Sequence, residues 1–148
     1  MKRPVLRAEA LIINEDYSRV LVQCDKQETF YRFPGGSIEF GETASEAIVR
    51  ELLEEYDLQV QVETLAIVNE HIFQVDGNSY HQCTLFHWCK LVTEIHEVLV
   101  HKEHENIILT WKNIQELKGK RTYPEGIVSL IVSKYDSVSH LLTKRTYL

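Results

Sequence analysis

Cysteine is scarce in this sequence: Cys24, Cys83 and Cys89, an odd number with no CxxC pair. That argues against a disulfide-built scaffold or a zinc ribbon, and reduced thiols in a cytoplasmic protein are the expectation. Glycine and proline are few as well, six and three in 148 residues, which excludes collagen-like and low-complexity architectures. No apolar run approaches the roughly 20 residues that a membrane span requires. The opening stretch MKRPVLRAEALIIN has basic residues, but Glu9 and Asn14 interrupt any secretory-signal core. Positive charge is in deficit too, with 16 Lys and Arg against 22 Asp and Glu and a net charge of −6. A broad nucleic-acid surface needs the opposite balance, so no nucleic-acid partner is expected. A small anionic ligand stays open, because bound divalent cations bring positive charge of their own.

What is present is ordinary for a globular chain: 44% apolar and 26% charged residues. Residues 1–148 read as one domain, large enough to bury about 68–70% of its unfolded surface. Residues 7–13 and 19–24 read as strands, followed by an aromatic- and glycine-rich loop from Phe30 to Glu42. Thr43 and Glu46 have capping-box spacing, and Ala44, Ala47, Ile48 and Leu52 recur at helical period. Residues 64–75 and 80–92 are β-like around Asp76-Gly77, a hairpin signal. Residues 107–111 predict a short strand, Ile114 to Leu117 a helical turn. Pro124 opens a last helical pattern with Ile127, Leu130, Ile131 and Tyr135 on one side. This order predicts an α/β fold, a mixed sheet with helices packed on it.

On a wheel of about 100° per residue, helix 43–56 places Ile48, Val49, Leu52, Leu53 and Tyr56 toward the core. Glu51, Glu54 and Glu55 fall opposite. Such an acidic face costs little in water and is ordinarily just solvated surface. The segment before it changes the reading. Pro34-Gly35-Gly36 lets the backbone approach another group closely, and Gly41-Glu42 feeds the capped helix. Loop carbonyls beside clustered carboxylates suit hard Mg²⁺, and the segment has no histidine or thiolate for a softer metal.

Gly36, five residues, Glu42, seven residues, then RELLEEYDL from Arg50 to Leu58 resembles the Nudix box of the MutT-like hydrolases. One position departs, Asp57 where the pattern has glycine. The lead-in Tyr31-x-Phe33-Pro34-Gly35-Gly36 is similar, as are Trp111, Ile114 and Glu116-Leu117 further on, so the resemblance spans residues 5 to 135. It implies a Nudix-type α/β/α sandwich with a mixed β-sheet. It also implies Mg²⁺-dependent (or Mn²⁺-dependent) hydrolysis of the pyrophosphate bond of a small nucleoside diphosphate derivative. Glu51, Glu54, Glu55 and the main-chain carbonyl of Gly36 would ligate the metal. Arg50 would hold a catalytic glutamate in position, and Glu42 would brace the loop against the helix. The general base in this family is either the first box glutamate, here Glu51, or a glutamate on a later loop. Glu105, six residues before Trp111, resembles the spacing of that later metal ligand or base better than Glu103 does. Such proteins often form homodimers. Asp57 is expected to end the helix in a left-handed conformation, which Asp tolerates better than most residues.

Phe30, Tyr31 and Tyr123 are candidates for stacking on a base, although Tyr31 fits core packing equally well. The histidines and glutamates of 101–105 lack a metalloprotease spacing, and surface histidines are commonplace, so zinc is set aside. Cys24 has no context for a nucleophile. His81, Cys83, His87 and Cys89 share one face of a strand, which is more often sheet surface than a metal site. No proline lies between Pro34 and Pro124, the first tyrosine after Tyr56 is Tyr80, and no SQPWPFPxS-like stretch occurs. By resemblance these absences count against ADP-ribose, dinucleoside polyphosphates and NADH. Nucleoside di- or triphosphates and nucleotide-sugars remain. The rivals are a non-catalytic nucleotide-sensing domain, which usually loses box glutamates, and an RNA 5′-end pyrophosphohydrolase, which would need a basic groove.

Overall fold

A computed structural model describes residues 2–133 and 136–147. The chain opens with strands β1 (Val5–Ile12) and β2 (Arg19–Asp25). The turn between them is closed by Asn14, whose Oδ1 accepts the N–H groups of Ser18 and Arg19 at 3.0 and 2.8 Å. The glycine-rich loop contains two short strands, β3 (Tyr31–Arg32) and β4 (Gly35–Ser37). Helix α1 (Ala44–Tyr56) starts at the expected capping box, with Thr43 and Glu46 exchanging side-chain-to-backbone bonds of 3.1 Å in both directions. It stops at Asp57, left-handed at φ 54 and ψ 32. Leu58 N–H then reaches back to the Leu52 carbonyl at 3.2 Å, closing the last turn.

Strands β5 (Val60–Val75) and β6 (Asn78–Leu91) form the foreseen hairpin. Asp76 and Gly77 both have positive φ, 49 and 80, the geometry that matches the twist of the flanking strands. Then follow β7 (Leu99–Val100), β8 (Ile107–Asn113), α2 (Ile114–Leu117), α3 (Ile127–Ser133) and β9 (Ser139–Tyr147). The short β3, β4 and β7, and the terminal β9, are additions to the sequence reading. Tyr135, expected on the last helix, lies outside the described residues.

The strands make two sheets, β4-β1-β6-β5-β9 and β3-β2-β8-β7. The first is mixed, because β1 runs parallel to β6 and β5 parallel to β9. The second is antiparallel throughout. Alternation along β1 sends Ala8, Ala10 and Ile12 to a core shared with α1, and Leu11 to a second core shared with α2 and α3. Helices therefore cover both sides, the expected α/β/α sandwich with a mixed sheet. Among the described residues no helix is long and apolar enough to cross a membrane.

The orientation of α1 differs from its hydrophobic pattern. Val49 and Leu53, expected in the core, are 43% and 46% exposed, and the buried apolar residues are Ala47, Ile48, Leu52 and Tyr56. Going round the helix, Glu51 and Glu55 fall between Ala47 and Ile48 on that same arc. The helix is rolled so that two carboxylates, not two aliphatic side chains, face the sheets.

Candidate active site

Two adjacent glycines admit α1 to its place, for separate reasons. A Cβ on Gly35, where φ is 155, would fall on the Ala8 carbonyl oxygen of the neighbouring strand. A Cβ on Gly36 would lie 2.5–2.9 Å from the carboxylate atoms of Glu51. Pairing of Gly36 with Ala8 in the β1–β4 ladder turns its bare Cα toward α1, and the Glu51 carboxylate occupies the space.

Arg50 organises one end of the cluster. Its Nε and Nη2 donate to the two carboxylate oxygens of Glu42 at 2.7 and 2.9 Å, a bidentate grip. Nη1 donates to Glu51 at 3.0 Å and Glu54 at 3.4 Å, and Nη2 also reaches the Ser37 carbonyl at 3.2 Å. The guanidinium holds the Glu42 carboxyl down at about 2, and these acidic partners raise the pKa of Arg50 in turn.

Glu55 lies at the other end, in different company. Its side chain is 15% exposed and that of Glu51 17%, against 58% for Glu54. Gln23 Nε2 is 3.4 Å from Glu55 Oε2 and donates to the Tyr56 hydroxyl at 2.6 Å, while Arg32 Nε donates to Gln23 Oε1 at 3.1 Å. On the opposite side, His101 Nε2 is 3.6 Å from Glu55 Oε1. Burial, and then the neighbouring Glu51 carboxylate, push Glu55 well above the ordinary carboxylate range. Two such groups at close quarters call for a proton or a cation between them.

The helix wheel sets Glu51, Glu54 and Glu55 opposite the core, but only Glu54 is open to solvent, while Glu51 and Glu55 are turned inward and the Glu51 carboxylate lies against Gly36. Among the described residues, no three His, Cys, Asp or Glu side chains are gathered closely enough to hold a metal ion. Glu54 is turned toward Arg50. The donor set nonetheless fits a hard divalent cation: all-oxygen ligands, a largely shielded carboxylate pair of which Arg50 serves Glu51 alone, and a glycine that leaves the Glu51 carboxylate room.

The 101–106 loop joins β7 to β8 and is drawn against α1, with Lys102 N–H donating to the Glu55 carbonyl at 2.9 Å. Glu103 and Glu105 are exposed on it. His101, read from sequence as a surface residue, is buried at 6% exposure, its ring edge-on to Tyr56 at 5.3 Å. No local pattern reveals this, since its partners are distant in the chain. Burial lowers its pKa first of all, and His104 adds to the effect.

Of the aromatic candidates, Phe30 is half-buried, with the Arg32 guanidinium 5.5 Å above its ring. Tyr31 is a core residue instead of an open stacking surface: it is buried, and its hydroxyl donates to Glu28 at 3.0 Å. Strand β3 alternates about Arg32, so Tyr31 and Phe33 both point inward. Tyr123 lines a cavity of about 780 Å³ with Lys118, Lys120, Arg121 and Arg145. None of the box carboxylates lines that cavity. All three cysteines are free, and burial pushes Cys24 up to about 11 and Cys89 to about 12, leaving neither as a thiolate.

The family model described as NUDIX domain matches residues 3–129. Among solved structures, a NUDIX hydrolase from Nitrosomonas europaea is 15% identical, with 99% of this chain and 81% of that one covered at a TM-score of 0.71. A MutT NUDIX hydrolase from Burkholderia pseudomallei is 20% identical over 90% of this chain and 100% of its own, with a TM-score of 0.67. A UDP-X diphosphatase is 20% identical over 94% of this chain and 68% of its own, with a TM-score of 0.63. No curated protein sequence matches the chain.

Proposed function

The chain belongs to the NUDIX domain family and is a hydrolase acting on acid anhydrides, and from that premise we propose that it cleaves the pyrophosphate link of a small nucleoside diphosphate derivative with Mg²⁺. Mn²⁺ is the alternative ion. The favoured substrates are nucleoside di- or triphosphates and nucleotide-sugars, and the name of one structural neighbour, UDP-X diphosphatase, fits the latter class.

One observation carries the reading: Glu51 and Glu55 lie on the arc of α1 that faces the sheets, each largely shielded, and the Glu51 carboxylate fills the space over the bare Cα of Gly36. Burying two carboxylates side by side costs stability unless something positive meets them. Glu51, Glu54, Glu55 and the Gly36 carbonyl would hold the ion. When bound, a divalent cation neutralises phosphate oxygens and lowers the pKa of a coordinated water. Arg50 keeps Glu51 and Glu54 aligned through its Glu42-anchored guanidinium. A carboxylate, Glu51 or Glu105, takes the proton of the water that attacks phosphorus, while the bridging P–O bond breaks and two phosphate products leave. Phe30 and Tyr123 are the candidates for contact with the base.

A panel of nucleotides and nucleotide-sugars assayed with Mg²⁺ and with Mn²⁺, following mononucleotide and phosphate release, tests the proposal. Turnover of at least one member that stops with chelator is expected, and no turnover of any would overturn it. Glu105→Gln beside Glu103→Gln then separates the two bases. A large loss of kcat in the Glu105 variant alone assigns the proton to Glu105, and wild-type turnover in both assigns it to Glu51.

A further inference from the structure

Among the described residues, His101 is the only buried histidine, and the chemistry above gives it no part. Its Nδ1 accepts two backbone N–H groups, from Glu103 at 3.1 Å and His104 at 3.2 Å. A nitrogen that accepts carries no proton, so the ring is neutral and its single N–H is on Nε2. That nitrogen is the one 3.6 Å from Glu55 Oε1. Tyr56, edge-on at 5.3 Å, and His104, tilted at 4.8 Å, fix the plane of the ring. The next residue, Lys102, is bonded through its N–H to the carbonyl of Glu55 itself. Imidazole and carboxylate are therefore tied at the backbone as well as facing each other. The 3.6 Å separation exceeds a hydrogen bond, so the contact directs the carboxylate without locking it, and a short rotation of Glu55 would complete the bond.

We propose that His101 is a positioning residue: its Nε2–H orients the Glu55 carboxylate for a divalent cation, while its Nδ1 holds the turn that carries Glu103 and Glu105. The inference rests on the reading that Glu55 is a metal ligand. A neutral donor suits the task, because it steers a carboxylate without neutralising the charge that the cation must meet. A lysine or arginine in its place would compete with the ion. Groups that orient ligands in this way are typically worth about 10–100-fold in metal affinity.

The two functions of the ring can be separated by substitution. In His101→Asn the side-chain oxygen replaces Nδ1 as acceptor for the turn, but nothing reaches Glu55. In His101→Gln the amide N–H reaches Glu55, but the acceptor is lost. Mn²⁺ binding to the metal-free protein, read from the free-ion electron paramagnetic resonance signal, is compared with thermal melting without metal. His101→Asn should melt near wild type yet bind Mn²⁺ about tenfold or more weakly. His101→Gln should melt lower and bind close to wild type. Equal Mn²⁺ affinity in His101→Asn and wild type, or no recovery in His101→Gln, overturns the inference. So does a His101→Asn protein that fails to fold, which would assign the ring to packing alone. If wild type itself takes up no Mn²⁺, the metal reading fails first and this one falls with it.

Discussion

At the Arg50 end of α1, Glu42, Glu51 and Glu54 share one guanidinium, whereas at the other end Glu55 meets the amide of Gln23, the neutral ring of His101 and the like charge of Glu51. The first arrangement is complete in the protein alone: charge meets charge, and the Glu42 carboxyl is held far below its ordinary range. The second is incomplete. Burial and a like charge push Glu55 upward against the weaker pull of Arg32 and Arg7, and among the described residues no lysine or arginine is bonded to it. Arg50 thus supplies rigidity, and the demand for an external cation is concentrated at Glu55 and at the face of Glu51 turned toward it.

Removing the incompletely served carboxylate should do the greatest damage. Glu55→Gln is expected to lower kcat by about 10²–10³-fold, the scale for losing one preorganised charge-stabilising group. Its metal-free melting temperature should hold or rise, since a buried repulsion is relieved. Steady-state kinetics at saturating Mg²⁺ beside calorimetry checks both, and full activity would remove Glu55 from the site. Next comes Gly36→Ala, which intrudes on the Glu51 carboxylate between the two ends. The added methyl must displace the flexible Glu51 carboxylate, so kcat should fall by roughly 10²-fold, the scale of a misplacement of about 1 Å, with little loss of stability. Gly35→Ala is its control: the obstacle there is the Ala8 backbone, and unfolding at lower denaturant is expected.

The Arg50 end is best tested by pH. The Glu42 carboxyl stands at about 2 when folded, below its ordinary value. Its pairing therefore stabilises the fold above the ordinary carboxylate range and loses that contribution as pH falls toward about 2. Glu42→Gln should melt below wild type at neutral pH, with the gap narrowing as the buffer is taken down through pH 4 toward about 2. A gap that stays constant would show that Arg50 gains nothing from that charge. The smallest effect belongs to Asp57→Gly, outside both ends. Glycine enters the left-handed region without steric cost, and the change gives up only an exposed ion pair to Lys102. Stability should shift by less than about 1 kcal/mol, upward if anything, with kcat unchanged.

Features fixed by neighbours in the chain were legible beforehand: the Thr43–Glu46 box, the Asp76-Gly77 turn and the left-handed Asp57. Each needs only a few residues and a spacing. The roll of α1 was not legible. Hydrophobicity assigns Val49 and Leu53 inward, and no local pattern reveals that glycine at 36 leaves room for a carboxylate instead. Gln23 and His101 escaped for a similar reason, since a strand far upstream and a loop far downstream meet at Glu55 only in the folded chain. The parallel seat of β9 beside β5 is equally non-local.

The bond from Lys102 N–H to the Glu55 carbonyl also bears on how this molecule opens. A helix terminus normally frays by itself, and a surface loop breathes by itself, each at little free energy. Here the last turn of α1 and the start of the 101–106 loop share a backbone bond, an ion pair from Lys102 to Asp57 and a ring contact from His101 to Tyr56. Neither can detach without the other. In native-state hydrogen exchange the amides of both segments should belong to one cooperative unit, protected to the same degree and released by denaturant together.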